Sequence, residues 1–111
     1  MAYDEDLANR VRDVLPKDAP IDERKMFGGL AFLFSGNMFC GIVHDTLMLR
    51  LGPDGAQRAL VKAHVRPMDF TGRPMKGMVF VDSPGLGDGA LQSWIDQAAA
   101  FARCLPTKPA H

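Results

Sequence analysis

Apolar residues recur every three or four positions in three segments of the chain, which is the spacing of one helix face. The pattern predicts helices at about residues 4–15, 53–63 and 88–103. Asp4 and Asp88 are suited to cap the first and third helices, and Pro53 fits the first turn of the second. In the second helix we expect the core-facing residues to be Ala56, Leu60 and Ala63. The third has the strongest apolar stripe, so we expect Trp94 to pack in the core.

Short apolar runs bounded by turn residues predict strands near residues 30–34, 38–43, 47–51, 66–70 and 76–81. The first three form an antiparallel meander with turns at Gly36-Asn37 and His44-Asp45. The element order is then α-β(3)-α-β(2)-α. An antiparallel sheet with its helices gathered on one side is a two-layer α+β sandwich. We expect one domain over residues 1–111, with a loose tail from about residue 106.

Alternation along the meander assigns its side chains to two faces. One face carries the leucines at 47, 49 and 51 together with Ala31, Leu33, Met38, Cys40 and Ile42. The other carries Leu30, Phe32, Phe34, Phe39, Val43, Met48 and Arg50. Both faces are apolar, and the helices of a two-layer fold cover only one of them.

We therefore expect the second face to pack against another protein chain, most simply a second copy of this one. The candidate interface residues are Phe32, Phe34, Phe39 and Met48. The alternative is that a helix covers this face and the leucine face is open, because the register depends on two assumed turns.

The composition is that of an ordinary globular protein, with 47% hydrophobic and 23% charged residues among 111. These values argue against the disordered and membrane classes. No apolar run is long enough to span a bilayer, and the first residues lack the basic start of a secretion signal. We therefore expect a cytoplasmic protein in which Cys40 and Cys104 are free thiols.

The net charge is zero, but the charges are unevenly distributed. Residues 1–23 hold seven acids and three bases, whereas residues 24–76 hold eight bases and three acids. One interpretation is an anion-attracting surface, and the other is a set of solvated bases scattered around a neutral protein. The candidate contacts to an anion or partner are Arg24, Lys25, Arg50, Arg73 and Lys76. Their convergence on one surface would favour an anionic partner.

Catalytic and metal-binding motifs are absent from the sequence. Cys40 and His44 lie four residues apart on a predicted strand, a separation of ~13 Å that is too long for a shared proton or metal. Gly28 and Gly29 lack the Lys-Ser or Lys-Thr that completes a phosphate-binding loop. Backbone freedom explains them better, as a bulge, a bend or a close approach of another segment. We therefore expect no catalytic residue, no cofactor, no metal and no enzymatic activity.

The sequence resembles the N-terminal domain of TfoX/Sxy proteins over about residues 10–103. The residues that carry the resemblance are Lys25-Met26-Phe27-Gly28-Gly29, Gly36, Met38-Phe39 and Asp45-Thr46-Leu47-Met48-Leu49-Arg50. The resemblance implies a secretion-chaperone-like fold in which Met26, Phe27, Gly28 and Gly29 form a structural motif. Proteins of this family are bacterial regulators of natural competence genes that act with the cyclic-AMP receptor protein. They also carry a helical C-terminal domain, so we expect a stand-alone N-terminal domain here.

Three function classes remain open after the sequence analysis. The resemblance favours a non-enzymatic interaction module, a transcription co-regulator of the TfoX/Sxy type that acts through protein partners. The alternative is a nucleic-acid-binding module that uses the basic residues of segment 24–76. Aromatic residues do not alternate with those bases, which counts against single-strand binding. A small enzyme is the third class.

Overall fold

The computed structural model describes residues 3–17, 20–26, 28–69, 74–87 and 89–105, with the backbone alone at positions 26, 68, 69 and 74–76. Within these ranges the elements are, in chain order, α1 (Glu5–Val14), β1 (Ile21–Met26), β2 (Gly29–Phe34), β3 (Asn37–Val43), β4 (Thr46–Arg50), α2 (Gly52–Leu60), β5 (Val65–Asp69), β6 (Pro74–Val81), a 3-10 turn (Ser83–Gly85) and α3 (Ala90–Arg103). The predicted α+β fold with an antiparallel sheet is confirmed. The predicted tail from residue 106 lies outside the described residues.

The described strands form one antiparallel sheet in the order β1-β2-β3-β4-β6-β5. β1 is the strand that the sequence analysis missed, because its sequence Ile-Asp-Glu-Arg-Lys-Met has no apolar alternation. It pairs only with β2, at an edge of the sheet, and four of its side chains are exposed. An edge strand with charged side chains is a common protection against unwanted strand pairing.

The helix ends follow from local chemistry. Asp4 caps α1 as predicted, since its Oδ1 accepts from the backbone N–H groups of Asp6 at 2.9 Å and Leu7 at 3.2 Å. Pro53 occupies the first turn of α2, also as predicted. α3 begins after Gly89, and the proposed cap Asp88 lies outside the described residues.

The assignment of β2 to the two sheet faces was wrong. The β2–β3 hairpin turns at Ser35-Gly36, so that Phe34 pairs with Asn37. Farther along the two strands the register shifts, so that Phe32 pairs with Cys40. The shift leaves Phe39 as an extra residue in β3, a β-bulge. A displacement of one residue moves every side chain of a strand to the opposite face.

All three helices cover the same face of the sheet and enclose the main core. On this face Leu30, Phe32 and Phe34 join Cys40, Ile42, Leu47 and Leu49. α3 lies over β3 and β4, α2 lies against β6, and α1 packs on α3. Trp94 is buried in this core, as predicted. The helix-free face carries a smaller cluster, Met48, Met78 and Phe80, with Met38 packed against it.

Candidate interaction surfaces

The candidate interface residues do not form one surface. Phe32 and Phe39 are fully buried in the main core, where the rings of Phe34 and Phe39 pack edge to face with centroids 5.8 Å apart. Met48 lies on the opposite, helix-free face. The predicted interface is therefore wrong, and the cause is the bulge at Phe39, which turns the phenylalanines toward the helices.

The helix-free face is also less open than the sequence analysis expected. Met48 and Phe80 are only 3% and 8% exposed. The guanidinium of Arg66 lies 5.0 Å above the ring centroid of Phe80 and forms a bidentate ion pair with Asp82, at 2.9–3.1 Å. This hydrogen bonding to Arg66 lowers the pKa of the Asp82 carboxyl. The apolar residues of this face are therefore covered within the chain.

The candidate anion-binding bases do not converge in the part of the chain that the structure describes. Arg24 and Lys25 are consecutive on β1 and therefore alternate to opposite faces. Arg50 lies at the end of β4, with its guanidinium carbon 5.9 Å from the ring centroid of Phe101 on α3. Arg73 lies outside the described residues, as does the side chain of Lys76. The positions of these bases therefore do not support a single basic surface formed by the predicted residues.

The glycine motif has a structural explanation. Gly28 lies in the β1–β2 turn with a φ of +74°, a conformation that favours glycine. Gly29 begins β2, and a Cβ there would overlap the carbonyl oxygen of Ile42 on β3. The predicted close approach of another segment is confirmed at Gly29. Phe27 and the side chain of Met26 lie outside the described residues.

The nucleophilic and metal-ligating side chains are dispersed. Cys40 is fully buried, and burial raises the pKa of its thiol well above the usual range. Cys104 is exposed at the end of α3, and both cysteines are free. Among the described residues, no group of three or more His, Cys, Asp or Glu side chains is arranged to hold a metal ion.

An exposed apolar pair lies at the end of α2. Val61 is 86% exposed and Leu60 is 38% exposed, and they are the large exposed apolar residues of the described ranges. The next residue in the chain, Lys62, places its Nζ 5.1 Å from the ring centroid of Trp94 on α3. We call Leu60, Val61 and Lys62 the α2 patch.

Leu60 and Ala63 are exposed, so the prediction that they face the core was wrong. α2 ends at Leu60, and its buried side chains are Ala56 and Ala59. Ala63 is exposed in the turn that leads to β5. The four-residue spacing from Ala56 predicted burial of Leu60, but the buried face of α2 runs through Ala56 and Ala59, which leaves Leu60 outside it, and the helix ends before Ala63.

No helix in the described ranges is both long and apolar enough to cross a membrane.

Comparison with known protein families gives a match over most of the chain. Residues 13–102 match the family described as TfoX N-terminal domain, a span that runs from the end of α1 to the end of α3. No match was found among curated proteins or solved structures. The match covers the sheet, α2 and nearly all of α3, and the resemblance inferred from the glycine motif and the meander is confirmed. The chain belongs to the TfoX N-terminal domain family.

Proposed function

We propose that this domain is a non-enzymatic interaction module, a transcription co-regulator of the TfoX/Sxy type that acts through a protein partner. Membership of the family supports the regulatory part of the proposal. The observation that carries the interaction part is the α2 patch, where Val61 is 86% exposed beside Leu60.

Folding does not account for the exposure of Val61. The residue caps the C-terminus of α2 and contributes little buried area. A β-branched side chain is also not favoured by helix propensity. Single exposed apolar residues are ordinary, but two adjacent ones next to a cation resemble the apolar centre and polar rim of an interface.

The charge around the α2 patch supports an acidic partner. Lys62 follows the pair directly in the chain. Between residues 52 and 67 the sequence has one acid, Asp54, at the far end of α2. A partner segment that alternates acidic and apolar side chains complements this surface. A second copy of the chain is one candidate partner.

Site-specific photo-crosslinking in the protein's own host tests the proposal. A photoreactive residue placed at position 61 should yield a discrete crosslinked protein, whereas the same residue at the exposed position of Asn9 on α1 should not. A crosslink to a second copy would identify a homodimer. Crosslinked nucleic acid at position 61, or identical products from the two positions, would contradict a protein partner at the α2 patch.

A further inference from the structure

A groove of about 340 Å³ lies between α2 and the C-terminal half of α3. Its lining residues are Leu51, Gly55, Arg58, Gln97, Ala100 and Phe101. We call it the α2–α3 groove. It is separate from the α2 patch, because none of the patch residues lines it. Its volume falls in the range of small-molecule sites, roughly 300–1,000 Å³.

The charge of the groove is positive. Arg58 lines it, and the guanidinium of Arg50 lies 5.9 Å from the ring centroid of Phe101, a lining residue. No acid is among the lining residues, and Asp54, one turn before Arg58, forms no ion pair with it. Within the described ranges, Arg12 and Arg66 are paired with carboxylates, whereas Arg50 and Arg58 are not. The guanidinium of Arg58 therefore lies at the groove without a counter-charge among the lining residues.

The Phe101 wall of the groove is held in place by close packing at Gly52. Gly52 has a φ of +80°, and a Cβ there would lie 2.5 Å from Cε1 of Phe101, so the ring packs directly on the backbone. Gly55 leaves the α2 wall open inside a helix, where glycine costs about 1 kcal/mol relative to alanine. The aromatic wall is thus fixed against the start of α2.

We propose that the α2–α3 groove binds a small organic anion, in which one carboxylate or phosphate group is joined to an apolar body. Arginine recognises both groups through paired N–H donors, which supplies the site for the anionic end. Leu51, Ala100 and the Phe101 ring supply an apolar wall for the body. This ligand site is independent of the protein partner proposed above.

Titration of the ¹⁵N-labelled chain with benzoate, phenyl phosphate and inorganic phosphate tests this inference by amide chemical shifts. We expect benzoate or phenyl phosphate to shift the amides of Gly55, Gln97 and Ala100 with a saturable curve. Inorganic phosphate should bind at least about tenfold more weakly, because it has no apolar body to bury. Equal responses to phenyl phosphate and inorganic phosphate, or no saturable shift at these amides, would overturn the proposal.

Three variants separate groove binding from general attraction to bases. Arg58→Gln should weaken binding of the organic probe by about tenfold or more, since it removes a charge-assisted pair of hydrogen bonds. Ala100→Trp should block the groove without touching a charge, because Ala100 is exposed. The matched control Arg24→Gln, on β1, should bind as the wild type does. Equal weakening in Arg58→Gln and Arg24→Gln, or undiminished binding in Ala100→Trp, would contradict a groove site.

The two proposals fail separately. Val61→Asp should lose the protein partner and still bind benzoate or phenyl phosphate, since Val61 does not line the groove.

Discussion

The two faces of the sheet are both apolar, yet they are covered in different ways. The helix-covered face carries leucine, valine, isoleucine and phenylalanine side chains that are almost completely buried under α3 and its neighbours. The helix-free face carries Met48, Met78 and Phe80, and among the described residues Arg66 covers Phe80. Long polar side chains can bury apolar surface with their stems while their charged ends stay in water. A second apolar face therefore does not by itself require a partner chain.

The largest difference between the faces should appear in neighbouring substitutions on β4. Leu49 is fully buried in the main core, whereas Met48 belongs to the cluster on the other face. We expect Leu49→Ala to cost about 3–4 kcal/mol of the free energy of unfolding, and Met48→Ala about 1–2 kcal/mol, because methionine surroundings adapt more easily. Urea denaturation of the two variants measures this. Equal losses would show that both faces are packed alike.

The attachment of the helix layer is tested at Gly52, where the chain leaves β4 for α2. Gly52→Ala should lower the free energy of unfolding by about 1–3 kcal/mol, because the positive φ disfavours a side chain and the new Cβ would displace Phe101. Gly89→Ala is the matched control, since Gly89 has a similar φ of +78° and no atom lies within 4 Å of a Cβ there. Thermal melts should show the larger drop in midpoint for Gly52→Ala. An equal drop in the control would assign the loss to the positive φ and not to the contact with Phe101.

The smallest loss of stability is expected at Arg66, which covers Phe80 on the helix-free face. Arg66→Gln should cost less than about 1 kcal/mol at pH 7, because its ion pair with Asp82 is largely exposed. The folded-state pKa of Asp82 is lowered, so the stability that it contributes is present above its unfolded pKa and lost as pH falls through the folded one. The difference between wild type and Arg66→Gln should therefore shrink below about pH 4. A difference that stays constant down to pH 2 would assign the effect to the Phe80 contact instead.

Local signals predicted those parts of the fold that depend on neighbouring residues. Asp4 caps α1, Pro53 lies in the first turn of α2, and the turn after Val43 pairs Val43 with Thr46, as predicted. β1 could not be found in this way, because a charged edge strand has no apolar alternation. The bulge at Phe39 also escaped, since no local signal marks an extra residue in a strand. The turn at Ser35-Gly36 instead of Gly36-Asn37 leaves Leu33 on the face of Met38, so the bulge alone reversed the faces of Phe32 and Phe34 relative to Cys40.

The candidate sites were harder to predict than the fold. The α2 patch depends on where α2 ends, and helix ends are uncertain by a turn in a sequence. The α2–α3 groove combines Arg58 with Phe101, which is more than forty residues away in the chain. No spacing rule connects these positions. The five bases that the sequence selected share a local charge excess, but charge excess does not determine which face a side chain occupies.

The most direct test of the proposed function is a transcript measurement in the protein's own host. Deletion of the gene should change the abundance of a defined set of transcripts, and the wild-type chain should restore them. Val61→Asp should fail to restore them although it folds, because it places a charge at the centre of the α2 patch. Asn9→Asp, which adds the same charge on α1, should restore them fully. Full restoration by Val61→Asp, or a deletion that changes no transcript, would contradict a co-regulator that acts through this surface.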